Sequence, residues 1–258
     1  MPIQSLLPEP GLIVDPVAVI AQDHRPLPTG RPWVLANMVT TLDGATAIEG
    51  VSGPLGGPAD KQVFSAIRSV ADAVLVGAAT VAEEQYRPPT PSEAILEARR
   101  RRGGQGRLTI AVVTSSLSLD LGLPLFTDST YRPLILTVSS APRDRREAFE
   151  AVADVVNTDT PESGDRRVDL NAALVELRRR GHNYVLSEGG PSLNGQLVGA
   201  GLVDEWNLTL SPLLAGGTSR RPAQGPPALD TGHMTLTRLW KGDDLLFGRW
   251  VRAASSSS

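Results

Sequence analysis

The sequence contains no cysteine, which excludes disulfides, thiolate metal sites and cysteine nucleophiles together. Histidine is nearly as scarce. His24, His182 and His233 are the only three, with no HxxxH or HxxE pairing, so no metal site is expected. Positive charge is not in excess either: 25 Lys+Arg against 28 Asp+Glu give a net charge of −3 and a pI near 5.7. A protein that tracks nucleic-acid phosphates normally carries a strongly basic patch, so no nucleic-acid partner is expected. A small anionic ligand, needing one local site, remains compatible. No apolar run approaches the roughly 20 residues of a membrane span. Met1 to Pro10 has neither a basic n-region nor a continuous apolar h-region, so no secretory signal is read. These absences describe a cytoplasmic globular protein.

Glycine and proline are plentiful, at 25 and 21 residues, above the usual shares of about 7% and 5%. Pro2, Pro8, Pro10, Pro16, Pro26 and Pro28 predict an extended arm over residues 1–30 without regular structure. Residues 253–258 predict a small, polar, disordered tail. Between them, residues 31–252 alternate. Strands are expected at Trp33 to Thr41, Ala73 to Gly77, Leu108 to Thr114, Leu134 to Val138 and Tyr184 to Ser187. Helices are expected at Ala59 to Val70, Arg143 to Ala153, Leu170 to Arg180 and Ser192 to Ala200. Several strands are apolar without alternation, as in a sheet covered on both faces. Val203 to Ser211 and Leu245 to Arg252 have no helix between them and predict an antiparallel pair at the end. Gly216 to Pro227, and Arg99 to Arg102 with Gly103-Gly104, read as loops, the arginines as a solvated helix end. The whole predicts one three-layer α/β domain with a mixed, mostly parallel sheet.

Two strand-to-helix junctions carry the chemistry. In Leu75-Val-Gly-Ala-Ala-Thr80, a buried strand ends at Gly77 and Thr80 enters the first helical turn. In Leu186-Ser-Glu-Gly-Gly-Pro-Ser-Leu193, Gly189-Gly190 make the turn, Pro191 suits N1 and Ser192 offers a hydroxyl. A glycine turn opening a helix presents free N–H groups and the positive dipole end to a phosphate. Two of them suit a pyrophosphate; two tight, capped turns would look the same. There is no GxGxxG, Walker or GxSxG motif, and three histidines make a serine triad a poor choice.

Met38-Val-Thr-Thr-Leu-Asp-Gly-Ala-Thr-Ala47, Arg68 to Val81, Glu188-Gly-Gly-Pro-Ser-Leu-Asn-Gly195 and Ser211-Pro-Leu-Leu-Ala-Gly-Gly217 follow in order. Together they resemble the reductase half of the bifunctional riboflavin-biosynthesis deaminase-reductase, a relative of dihydrofolate reductase. The resemblance implies a dihydrofolate-reductase-type sheet, NADPH as cofactor and a homodimer. It implies that Gly77, Thr80, Gly189, Gly190, Pro191, Ser192 and Leu193 hold the cofactor phosphates. It places Val39, Thr40 and Thr46 beside the nicotinamide, and Thr114 and Ser115 at the adenosine 2′-phosphate. Ser52 and Arg68 fall at the substrate, Glu188 at the substrate ring, and Glu84, Tyr86 and Arg87 along the cofactor or substrate cleft. The deaminase half is missing, since nothing resembles H-x-E with P-C-x-x-C. Asn37 stands where the riboflavin enzymes commonly have lysine, losing a charge but keeping hydrogen bonding.

Gly57-Pro-Ala-Asp60 resembles the segment that places the pteridine-binding acid of dihydrofolate reductases. Asp60, Phe64 and Arg68 fall at i, i+4 and i+8, offset from Val63, Ile67 and Val70. An acid for a ring N–H, an aromatic wall and a cation for a distal anion make a pocket edge, with Asp60 and Glu188 as the catalytic pair. The bland alternative is that Asp60 only favours its helix start. Asp43, before Gly44, reads as a turn aspartate bonding its own backbone, and His182 and His233 as surface or loop residues. The expected activity is an NADPH-dependent reduction of a heterocyclic C=N or sugar imine. The substrate is an aminoribosyl-pyrimidine or, alternatively, a dihydropterin. The remaining alternative is a non-catalytic NADPH-binding protein.

Overall fold

A computed structural model describes residues 2–101, 106–160, 167–225 and 232–253. In chain order the elements begin with β1 (Ile3–Leu7), β2 (Ile13–Val14), α1 (Pro16–Gln22), β3 (Trp33–Thr41) and α2 (Pro58–Val70). They continue with β4 (Ala73–Gly77), α3 (Ala78–Glu83), α4 (Glu93–Arg101), β5 (Thr109–Val113) and α5 (Pro124–Thr127). Then come β6 (Leu134–Thr137), α6 (Arg143–Glu150), β7 (Asp154–Asn157), α7 (Leu170–Arg179) and β8 (Tyr184–Ser187). The last are α8 (Pro191–Gly199), β9 (Glu205–Ser211), β10 (Met234–Gly242) and β11 (Leu245–Arg252). They form two compact units. The first comprises Met1–Pro26, Trp33–Val70 and Ser187–Ser258, the second Leu27–Pro32 and Ala71–Leu186.

In the first unit the strand order is β2-β1-β10-β11-β9-β3. All pairs are antiparallel except β3 with β9, which run parallel with Val39 opposite Thr209 and Asn37 opposite Asn207. The expected antiparallel pair β9–β11 is therefore present, inside a larger antiparallel region. In the second unit the order is β8-β4-β5-β6-β7, and β4 through β7 pair in parallel. Val74, Leu75, Val76, Ala111, Val112, Ile135 and Leu136 are all buried. Consecutive strand residues point to opposite faces, so both faces of this sheet are covered, as a three-layer α/β fold requires.

The N-terminal arm is irregular only in part. Residues 23–28, with Pro26 and Pro28, have no regular structure, but Pro8 follows β1 directly and Pro16 takes the first position of α1, whose cap Asp15 accepts a 3.0 Å hydrogen bond from the Val17 amide. β1 becomes a strand of the sheet through β10, and Ile3 and Ile20 are fully buried. Arg100 and Arg101 end the helix α4 exposed, as a solvated helix end would. Arg99 departs from the expectation: it is 2% exposed, donating to the carbonyls of Ala71 and Gly106. Burial pulls its pKa down, opposed by Asp72. Arg102, Gly103, Gly104, Pro226, Pro227 and residues 254–258 lie outside the described residues.

Candidate active site

Helix α2 opens after Gly56-Gly57, with Pro58 at its start and Ala59 donating its amide to Asp243 Oδ2 at 3.1 Å. Val63, Ala66, Ile67 and Val70 form its buried stripe. Asp60 lies beside that stripe, and its Oδ1 accepts a 2.9 Å hydrogen bond from Thr209 Oγ1. Burial pushes the Asp60 carboxyl above its ordinary value, and the Thr209 hydroxyl only partly opposes this. A Cβ on Gly56 would lie 2.5 Å from Asp60 Oδ2, so a glycine there leaves the carboxyl its space. Thr209 reaches Asp60 because β9 alternates. Glu205, Asn207, Thr209 and Ser211 are buried on one face, while Trp206, Leu208 and Leu210 are half-buried on the other.

Two turns further along α2, Arg68 makes a bidentate pair with Glu188, Nε to Oε1 and Nη2 to Oε2, both 2.6 Å. Its guanidinium also stacks 4.4 Å over the Phe64 ring. The side chains are 31% exposed for Arg68 and 4% for Glu188. The expected stripe of acid, aromatic and cation is therefore present, with one revision. Arg68 does not stand as a lone cation for a substrate tail; its fork holds Glu188, which follows β8 directly.

After Glu188 the chain turns at Gly189, whose φ is +81, and the Gly189–Gly190 peptide is cis. Gly190 caps α8 without a side chain and Pro191 opens it, as expected. Ser192 is exposed and Leu193 buried. Asn194, fully buried, accepts from Ser187 Oγ at 2.8 Å and donates to the Pro222 carbonyl at 3.0 Å. A Cβ on Gly195 would fall 2.2 Å from the Gln224 carbonyl oxygen, and the Gln224 amide donates to Pro191 at 2.8 Å. The same loop is tied to β3's exit: both the amide and the hydroxyl of Thr46 donate to the Arg220 carbonyl, at 3.2 and 2.9 Å. Asp43 accepts from the Ala215 and Gly216 amides and from Thr41 Oγ1. Those bonds hold its pKa at about 2, the Thr41 hydroxyl contributing most. Asp43 thus clamps a distant loop, more than its own turn. Val39 is half-buried, Thr40 donates its hydroxyl to the Ala45 carbonyl, and Ser52 precedes a short 3-10 turn, Gly53–Leu55.

The remaining expected positions belong to the second unit. Gly77 caps α3 in extended backbone without a side-chain bond, and Thr80 is half-buried in the first turn. Glu84 and Arg87 are exposed and Tyr86 half-buried. Thr114 Oγ1 accepts from the Leu117 amide at 3.1 Å, closing a turn, while Ser115 is exposed. His182 is half-buried and its pKa is lowered by burial, with Asp72 opposing.

Sequence reasoning missed Thr209, Asp243, Asn194 and a buried charge cluster of Asp23, Arg25, Glu205, Arg238 and Arg249. The one available signal was the Glu205-x-Asn-x-Thr-x-Ser211 alternation. Polar residues at period two in a strand mark a face that meets something other than an aliphatic core.

The first unit thus joins a buried carboxyl and a glycine-opened helix to a mixed sheet. The chain belongs to the RibD C-terminal domain family, whose pattern matches residues 32–246. It is 31% identical over 193 residues to the 2,5-diamino-6-ribosylamino-4(3H)-pyrimidinone 5′-phosphate reductase of Methanothermobacter thermautotrophicus, covering 74% of this chain and 82% of the relative. The protein of the same name from Archaeoglobus fulgidus is 29% identical over 72% of this chain and 83% of its own. Among solved structures, a pyrimidine reductase-like protein from Corynebacterium diphtheriae superposes with a TM-score of 0.80 at 27% identity, covering 94% of this chain and 100% of that one. Acinetobacter baumannii RibD shares the fold, with a TM-score of 0.69 at 19% identity over 87% of this chain and 59% of that one. Among the described residues, no helix is long and apolar enough to cross a membrane.

Proposed function

We propose that the chain is a cytoplasmic, NADPH-dependent reductase of a ribosylaminopyrimidine 5′-phosphate. The observation that carries this reading is the Asp60 carboxyl, raised in pKa by burial and held by Thr209, on the same helix as the Arg68–Glu188 pair. Its support is membership of the family and likeness to proteins named as pyrimidine reductases.

The chain's residues fit the cofactor. Gly190 leaves the α8 N-terminus without a side-chain cap, and the Gly189 backbone has Asn194 and Met38 so close that a Cβ would lie 3.3 Å from each. Gly189, Gly190, Pro191, Ser192 and Leu193 would hold its phosphates. NADPH supplies the hydride. Asp60 keeps its proton to a higher pH than a free carboxyl, hydrogen-bonds the heterocycle and fixes its orientation. Glu188, its carboxylate set by Arg68, frames the ring's other polar edge. Ser52 and Phe64 would complete the substrate contacts of this unit. Val39, Thr40 and Thr46 would flank the nicotinamide.

The proposal includes a homodimer. Trp206, Trp250 and Leu236 stand in register across β9, β11 and β10 and remain partly exposed, with Leu208 and Leu210 along the same face. Sedimentation of the pure protein tests this; a monomer at tens of micromolar would refute it.

The buried Asp60 favours a second reading, reduction of a dihydropterin, because such an acid suits a ring N–H. NADPH oxidation assayed with each substrate separates the two, and tight NADPH binding with turnover of neither would favour a non-catalytic binder.

A further inference from the structure

Five charged side chains meet beneath the sheet of the first unit, on the face that carries Thr209. Arg25 Nε lies 2.8 Å from Glu205 Oε2 and its Nη2 lies 3.0 Å from Asp23 Oδ2. Arg249 Nη2 lies 2.9 Å from the same Glu205 oxygen, and Arg238 Nη1 lies 2.7 Å from Asp23 Oδ2. Three guanidiniums thus face two carboxylates, and the cluster carries one net positive charge. Glu205 is fully buried, and the three arginines are 6–8% exposed. Burial lowers the pKa of Arg238, with Asp23 opposing. Beside the cluster, α2 lines a cavity with Val63 and Ile67, and its Asp60 carboxyl bonds Thr209 on the same face of the sheet. A buried, unbalanced cation is costly, and arginine does not relieve the cost by losing its proton.

A cavity of about 10 Å³ borders the cluster, lined among others by Asn37, Asn207, Thr209, Arg238, Trp240 and Arg249. Arg249 Nε is buried without a hydrogen bond; Asp23 Oδ2, 3.4 Å away, is near enough for attraction but makes no bond to it. We propose that this cavity binds one small monovalent anion of halide size. The space holds at least one particle of about the size of a water molecule. A water would satisfy the Nε–H, yet only an anion also cancels the charge. The site is distinct from the Asp60 carboxyl, although Thr209 borders both, and it stands whichever heterocycle is reduced.

Melting the protein in chloride or bromide against gluconate, at one ionic strength, tests this. A saturable rise in Tm of about 2–4 °C is expected in the halides alone, and bromide-soaked crystals should show an anomalous peak beside Arg249 Nε. Matching melting curves in halide and gluconate, or a bromide-soaked cavity with no anomalous peak, would overturn the proposal. Arg249→Met removes the free donor and should abolish the halide effect. Should that variant not fold, Val63→Ile places a methyl group at the cavity wall and should abolish it instead; a halide effect that survives in a folded variant would also overturn it.

Discussion

Thr209 Oγ1 donates a 2.9 Å hydrogen bond to Asp60 Oδ1, and this single contact ties the first turn of α2 to the strand β9. Strand and helix are 149 residues apart in sequence. The contact fixes the direction of a carboxyl whose burial raises its pKa. A raised carboxyl pKa stabilises the fold below the unfolded value near 3.8, and that stability is lost as pH rises through the folded value. At neutral pH, Asp60→Asn should therefore leave Tm unchanged or slightly raised. Turnover should fall about 100-fold or more, with NADPH affinity nearly intact. If Asp60 merely favours its helix start, the variant instead loses about 0.3–1 kcal/mol of stability and turns over normally. Kinetics and melting of this variant decide between the two.

The Arg68–Glu188 pair predicts a coupled effect. Arg68→Ala leaves a Glu188 side chain that is 4% exposed without its bidentate partner, so stability should fall by about 1.5–3 kcal/mol. Arg68→Lys keeps the charge but not the fork and should recover only part of it. A double-mutant cycle with Glu188→Gln measures the coupling; additive effects would show that the pair is incidental.

Glu205 predicts an acid limit. Burial would raise its pKa, but Arg25 and Arg249 outweigh burial and hold it at about 2. Its stabilisation is therefore full above the ordinary 4.5 and is lost as pH falls toward 2. Glu205→Gln should cost about 3 kcal/mol at pH 7, and the difference from the parent should shrink over that window. A pH-independent difference in denaturant melts would contradict this.

The loop over α8 predicts a packing effect. Gly195→Ala places a methyl group 2.2 Å from the Gln224 carbonyl oxygen, so the loop or the helix must shift, costing about 1–3 kcal/mol. NADPH affinity should fall with it if the α8 N-terminus holds phosphates. An unchanged Tm would show that the loop moves freely.

Much of the fold was legible from the sequence. β3, β4, β8 and β11 have the expected boundaries because their apolar runs are bounded by turn residues. α2 was legible from Val63, Ile67 and Val70. β10 was not, since Arg238 and Lys241 interrupt its apolar residues and one of its two partners, β1, is remote in sequence. β7, four residues at the end of the sheet, offers too short a pattern. The arm was misread in part, because proline was counted as a breaker without regard to position, and Pro16 is a helix opener. The i, i+4, i+8 spacing made legible that Asp60, Phe64 and Arg68 share α2, where Arg68 stacks over Phe64. The bidentate grip of Arg68 on Glu188 was invisible, because the partner lies 120 residues away and only the folded chain joins them.

The most direct measurement is NADPH oxidation with a ribosylaminopyrimidine 5′-phosphate as sole acceptor, repeated with NADH and with Asp60→Asn. The account predicts turnover with NADPH, weaker turnover with NADH, and loss of turnover in the variant while NADPH still binds. Tight NADPH binding with no oxidation of it by this substrate, or full activity in Asp60→Asn, would contradict it.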